Sequence, residues 1–148
     1  MKRAIVKGVL AGLAGTAVMT VAQRLEISVT GRRPSTVPGQ VAAQLLGHSE
    51  PDIAARLNVP THWAHGAAMG PLRGALAAMG LRGVTGSAVF FAMMWASDAM
   101  LYRALGIADR PWHWSRTELA TDIGHKALYA LVTGIAYDTV AGRRRARR

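Results

Sequence analysis

The chain has no cysteine. That excludes disulfides, zinc ribbons, CxxC redox pairs and thiol nucleophiles, and it leaves the redox compartment undetermined. Aromatic residues are scarce too, 6% of the total with two phenylalanines, although 51% of the chain is hydrophobic. Ala, Gly, Leu, Val and Met therefore carry the apolar load. Carboxylates are few: 8 Asp and Glu stand against 18 Lys and Arg, for a formal charge of +10. No strand-borne GxGxxG, no P-loop and no Gly-x-Ser-x-Gly elbow occurs, which removes the commonest dinucleotide, nucleotide and serine-hydrolase sites. Ser87 and Ser97 read as helix-contact hydroxyls rather than nucleophiles. At 148 residues the chain suits one domain with a core and is too short for two.

The distribution of positive charge says more than its sum. Arg143, Arg144, Arg145, Arg147 and Arg148 close the sequence, and Lys2, Arg3 and Lys7 precede the first apolar run. Basic clusters at the ends of hydrophobic segments are what the positive-inside rule produces, and they attract anionic lipid. A nucleic-acid binder spreads Lys and Arg along one helix face among aromatics. That pattern is absent, and no nucleic-acid partner is expected. The mean hydropathy, +0.17, is low for a membrane protein, because it averages apolar segments with a polar connection and the arginine tail.

Four apolar segments are predicted to span a bilayer, at about 4–22, 62–81, 84–103 and 117–140, with 143–148 as a basic cytoplasmic tail. The first is hydrophobic on every side past Lys7 and carries Gly8 and Gly12 at small-xxx-small spacing, which lets a neighbouring backbone approach closely. Its basic start and the poor cleavage site at Thr20-Val-Ala22 also resemble a signal peptide, a reading that the later apolar segments oppose. Gln23–Thr61 is expected to be a long polar connection. Within it, Val37–Leu46 reads as a short amphipathic helix stopped by Gly47. A second starts at Ser49 and is ended by Asn58 and Pro60. Gly66, Gly70 and Gly74 form a small-residue ridge on the second span, where Pro71 should introduce a kink. That ridge serves a homo-oligomer or a membrane-protein partner as readily as an internal contact. Trp112 and Trp114 in the last loop suit a membrane interface, and Ser115 with Glu118 makes a capping box that opens the fourth segment. An even number of spans keeps both basic ends on the cytoplasmic side of a bacterial inner membrane.

The fourth segment is the unusual one. Glu118, Asp122, His125 and Tyr129 recur at helical spacing as a polar stripe, with Lys126 beside it. In a bilayer such a stripe must face partners. Counting ~1.5 Å per residue from the cytoplasmic ends puts Asp98 and His125 at about the same depth, with His65 and Asp122 slightly further out. His62 and Glu118 then approach the interface and Arg73 lies lower. This polar layer is expected to be a buried ion network, with Arg73 and Lys126 neutralising Asp98 and Asp122 and the histidines as hydrogen-bond partners. It is either structural or proton-linked. The alternative is a divalent transition-metal site, structural or enzymatic, built from His65, Asp98, Asp122 and His125, because carboxylate-x-x-His pairs on facing helices hold metals in bundle cores. A further alternative is a soluble, basic helical binding protein whose stripe faces water.

Several stretches carry a resemblance. Thr30-Gly-Arg-Arg-Pro-Ser35, His62-Trp-Ala-His-Gly66, Phe90-Phe-Ala-Met-Met-Trp95 with Asp98 and Tyr102, Leu105-Gly-Ile-Ala-Asp-Arg-Pro-Trp112, and Glu118…Asp122…His125 resemble small integral membrane proteins of actinobacteria. More distantly, His62–Tyr137 looks like the YagU-type bacterial inner-membrane family, through Gly106, Pro111-Trp112, Glu118 and Gly124-His125. The resemblance implies an integral membrane protein, with acid tolerance suggested for the YagU type, and it names no reaction. The sequence reading is thus an all-α, four-helix transmembrane bundle with short interfacial helices in its first loop. Its partner is the lipid bilayer and its role is non-enzymatic.

Overall fold

In a computed structural model, which describes residues 2–142, the chain is all-α, with no strand among the described residues. Five helices follow in order: α1 (Lys2–Thr30), α2 (Val37–Leu45), α3 (Pro51–Ala78), α4 (Gly83–Ala104) and α5 (Arg116–Gly142). A single 3₁₀ turn at Pro111–His113 sits before α5. The arginine tail expected at 143–148 lies outside the described residues.

Glycine sets the closest packing. α1 and α3 run antiparallel with their backbones in contact. A methyl group at Gly8 would fall 2.6 Å from the Pro71 nitrogen, and methyls at Gly12 and Gly70 would strike the carbonyls of Gly66 and Gly8. The two small-residue ridges read from the sequence therefore mesh with each other, as close backbone approach requires. Gly74 lies against the Tyr137 ring, and Gly15 against Thr133 and Tyr129, which seats α5 on the same side of the bundle. α1 thus lies between α3 and α5, and α4 closes the bundle chiefly against α5. The buried apolar centre is small: Leu76, Phe90, Met94, Tyr129 and Ala130, with Ala11, Ala77 and Tyr137 nearer the chain termini. Phe90 and Tyr129 meet as tilted rings 5.9 Å apart.

The expected long connection from Gln23 to Thr61 is mostly helix. α1 continues to Thr30, and α3 runs unbroken from Pro51 through Asn58, Pro60 and Pro71 to Ala78. Pro60 removes one helix hydrogen bond, and packing against α1 and α2 on either side sustains the helix through it. Asn58 does not terminate α3. Its side chain turns outward, accepts the Gly39 N–H at 3.0 Å and donates to the Ser35 carbonyl at 3.0 Å. The α2 N-cap residue Thr36 makes no side-chain capping bond, so Asn58 of α3 satisfies a first-turn donor of α2 in its place. Gly47 stops α2 as expected, in the left-handed region at φ 77°, with the His48 N–H reaching back to the Ala43 carbonyl at 2.8 Å. The capping box at the start of α5 is present in both directions: Glu118 accepts the Ser115 N–H and Ser115 accepts the Glu118 N–H.

Two helices, α1 and α4, are long and apolar enough to cross a membrane, against four expected. α3 and α5 fall short of that description because histidines, glycines and ionised residues keep their mean hydropathy too low. Only 33% of the apolar window of α1, and likewise of α4, is buried within the protein. Leu10, Val21, Leu25 and Val29 of α1 and Val84 and Met100 of α4 point outward.

Candidate functional site

The sequence places its ionisable residues on three long helices, and the fold sorts them into two separate centres. At the end of the bundle that holds Lys2, Lys7 and Arg82, Arg73 of α3 is fully buried (0% exposed). Its Nη2 donates to Asp138 Oδ2 of α5 at 2.6 Å, and its Nη1 donates to the Leu81 carbonyl at 3.2 Å. Asp138 Oδ2 also accepts the Gly83 N–H at 2.9 Å. The α4 N-cap residue Arg82 provides no side-chain cap, so Asp138 caps α4 from another helix. Gly86 and Gly134 make room for the guanidinium: a methyl on either would come 3.2 Å from Arg73 Cζ or Nε. Arg73 and Asp138 therefore clamp the tight α3–α4 turn to α5.

The second centre lies further along the bundle. Asp98 is fifteen residues beyond Gly83 on α4, about 22 Å at ~1.5 Å per residue. Lys126 Nζ of α5 stands 3.1 Å from Asp98 Oδ2 and 3.1 Å from Asp122 Oδ1. On the far side of the Asp98 carboxylate, His65 Nε2 of α3 approaches Oδ1 at 3.3 Å. Neither His65 Nε2 nor Asp98 Oδ2 has an aligned hydrogen-bond partner among the described residues. Both contacts to Asp98 are close approaches without directed bonding. Asp122 is better held, because the Trp95 indole N–H donates to its Oδ2 at 2.8 Å. Tyr102 completes the lysine's surroundings: its ring centroid lies 4.9 Å from Nζ. Trp95 in turn meets Trp114 edge-on at 6.4 Å, and the Trp114 indole donates to the Asp109 carbonyl at 2.7 Å.

The expected polar layer is therefore only partly assembled. Lys126 does pair with both Asp98 and Asp122. Arg73 does not, because it sits more than two helical turns deeper than His65 and finds Asp138 at its own level. His62 turns to α1, where its Nε2 lies 3.0 Å from Thr20 Oγ1. Glu118 caps its own helix. His125 faces the side of α5 nearest Glu26 and Arg32, one residue round the helix from Lys126 and about 100° away. That rotation separates it from Asp98, so the four-ligand set His65, Asp98, Asp122 and His125 is not brought together. Among the described residues, no three His, Asp or Glu side chains are arranged to hold a metal ion.

Three participants were not assigned to the polar layer from the sequence. Trp95 and Tyr102 lie at i−3 and i+4 from Asp98, a spacing that shares its helix face and could have flagged them. Asp138 carried no such signal, because its partner is 65 positions away. Compared with protein-family models, with curated proteins and with solved structures, the chain matches none.

Proposed function

We propose that the chain is a non-enzymatic, four-span protein of the bacterial cytoplasmic membrane, with both basic ends inside. In this reading the Asp98 centre takes up and releases a proton at the outer face through His65. The observation that carries it is the asymmetry around Asp98. Its side chain is 4% exposed and is touched by Lys126, 14% exposed, on one side and by the 39% exposed ring of His65 on the other. Two carboxylates and one ammonium leave the centre one positive charge short. Protonation of the imidazole supplies that charge. A net charge in a low-dielectric bundle is costly, so His65 is the natural proton port. The groups that face the centre are His65 from α3, Asp98, Trp95 and Tyr102 from α4, and Asp122 and Lys126 from α5.

Support for the bilayer comes from where apolar surface is left. A core helix of a water-soluble protein buries most of its apolar window, whereas α1 and α4 bury a third. α1 also packs into the bundle, where Gly8, Gly12 and Thr16 are buried against α3. α3 and α5 are too polar to insert alone, yet Arg73, Asp98, Asp122 and Lys126 all meet partners inside the bundle. That is the condition for ionised groups at membrane depth.

Two measurements test the reading. The cysteine-free chain accepts single reporter cysteines without background: Thr36→Cys should react with an impermeant maleimide on intact cells, and Arg82→Cys only after permeabilisation. Recovery of the intact chain from the cytosolic fraction would defeat the membrane assignment. For the centre, Trp95 is a built-in reporter through its bond to Asp122. Acidification from about pH 8 to 5 should change the Trp95 emission, read as the difference from Trp95→Phe. The change should vanish in His65→Gln and in Asp98→Asn. An unchanged response in either variant would leave the centre as scaffolding.

A further inference from the structure

The geometry points to Lys126 as a tethered counter-ion that fills a small-cation seat between Asp98 and Asp122 and so confines exchange at the centre to protons. The inference rests on the proton-linked reading above but is tested without measuring proton uptake. Nζ stands 3.1 Å from one oxygen of each carboxylate, the position a monovalent cation or a free alkylammonium would occupy. The walls of the seat suit an ammonium: two anionic oxygens, and the face of Tyr102 with its centroid 4.9 Å from Nζ. Asp98 Oδ2 is buried and has no aligned hydrogen-bond donor among the described residues, so it retains acceptor capacity directed at the seat. His65 is not part of the seat, because it meets the opposite oxygen, Oδ1. One carboxylate therefore divides two functions. Its inner oxygen is committed to a fixed cation, and its outer oxygen is left to a group that gains and loses a proton.

The arrangement separates two kinds of site. With two carboxylates and no lysine, the centre would draw a cation from the medium and depend on its concentration. With Lys126 in place the cation is covalently supplied and does not depend on the medium. Lys126 is thus the residue that decides which ion the centre exchanges.

The test compares wild type, Lys126→Ala and Lys126→Met in detergent, reading the thermal unfolding midpoint in choline chloride alone, then with added potassium or methylammonium chloride. Lys126→Ala should unfold roughly 10 °C lower than wild type in choline, and methylammonium should restore about half of the loss by occupying the vacated seat. Lys126→Met fills the space with an uncharged chain and should gain no more than wild type. Wild type should be indifferent to all three salts at equal ionic strength. The inference is overturned if Lys126→Ala matches wild type in choline, if no small cation restores it, or if wild type itself is stabilised selectively by a small cation. A negative Trp95 response together with methylammonium rescue would defeat the proton reading and leave the seat standing.

Discussion

The two buried ion centres use the same chemistry, one cation and its carboxylates, and are built to opposite ends. Around Arg73, the ion pair with Asp138 is fastened to two backbone groups: the Leu81 carbonyl accepts from Arg73, and the Gly83 N–H donates to Asp138. Together these bonds tie α3, the α3–α4 turn and α5 to one another. Around Asp98, the contacts come from side-chain ends, two of them unaligned, and one partner is a part-exposed imidazole. A buried charge fastened to backbone is a structural clamp. A buried charge that shares its carboxylate with a titratable, accessible ring can respond. Burial alone does not separate the two, since Arg73 is 0% and Asp98 3% exposed.

The largest effect is expected at the clamp. Arg73→Met leaves Asp138 without its guanidinium and the Leu81 carbonyl without its donor; removing one member of a buried pair costs about 3–5 kcal/mol, and the protein should lose monodispersity on gel filtration. Adding Asp138→Leu should recover much of that loss, because the stranded charge is gone. If the single and double variants behave alike, the clamp reading fails. At the other centre, Asp98→Asn should cost less, about 1–2 kcal/mol, since the amide still fits the space and can bond Lys126 through its oxygen. It should leave the chain assembled while silencing the Trp95 pH response. A collapse equal to that of Arg73→Met would erase the distinction between the centres.

A third variant probes neither centre and calibrates both. Asn58→Ala removes the bonds to Gly39 and Ser35, at about 1 kcal/mol. Hydrogen exchange should accelerate in α2 alone and leave the Gly83 amide, held by Asp138, protected. The smallest effect concerns the exposed loop before α5. The carboxyl of Asp109 is held below the ordinary carboxylate range, chiefly by its hydrogen bond to His113 and next by the Arg110 N–H. A carboxyl with a depressed native pKa stabilises the native form above its ordinary value and loses that contribution as pH falls through the native value. The loop contacts should therefore persist at neutral pH and open only at pH below the ordinary carboxylate range. The Trp114 indole N–H signal, which reports its bond to Asp109, should move there and should be less pH-dependent in Asp109→Asn. Movement at the Asp98 centre over the same range would show that the loop and the centre are linked through Trp114 and Trp95.

Much of the fold could be read locally. Small-xxx-small spacing at Gly8/Gly12 and Gly66/Gly70/Gly74 announced close helix contacts, and those residues do meet. Gly47 and the Ser115/Glu118 box announced helix ends, because a left-handed turn residue and a reciprocal cap depend on neighbours a few positions away. Asn58 and Pro60 misled for the complementary reason. Their usual role as terminators is a local preference, and packing of α1 and α2 along α3 outweighs it. The i, i+4 relation of Asp122 and Lys126 was likewise visible in the sequence, and it holds at 3.1 Å.

What the sequence determined by itself is the class of the molecule: helical, cysteine-free, with apolar runs, small-residue ridges and a stripe of ionisable residues at helical spacing. Only the tertiary structure decided how those charges pair. Depth counting put Asp98 level with His125, and it is the next residue, Lys126, that meets Asp98; depth is legible because rise per residue is a property of each helix alone. Pairing also needs the rotation of each helix about its axis, and that rotation is fixed by contacts 40 to 65 residues apart, such as Tyr129 Oη to the Gly66 carbonyl at 2.6 Å and Arg73 to Asp138. A rotation of about 100° separates Lys126 from His125, and with it an ion-paired centre from the metal site that the spacing alone had allowed.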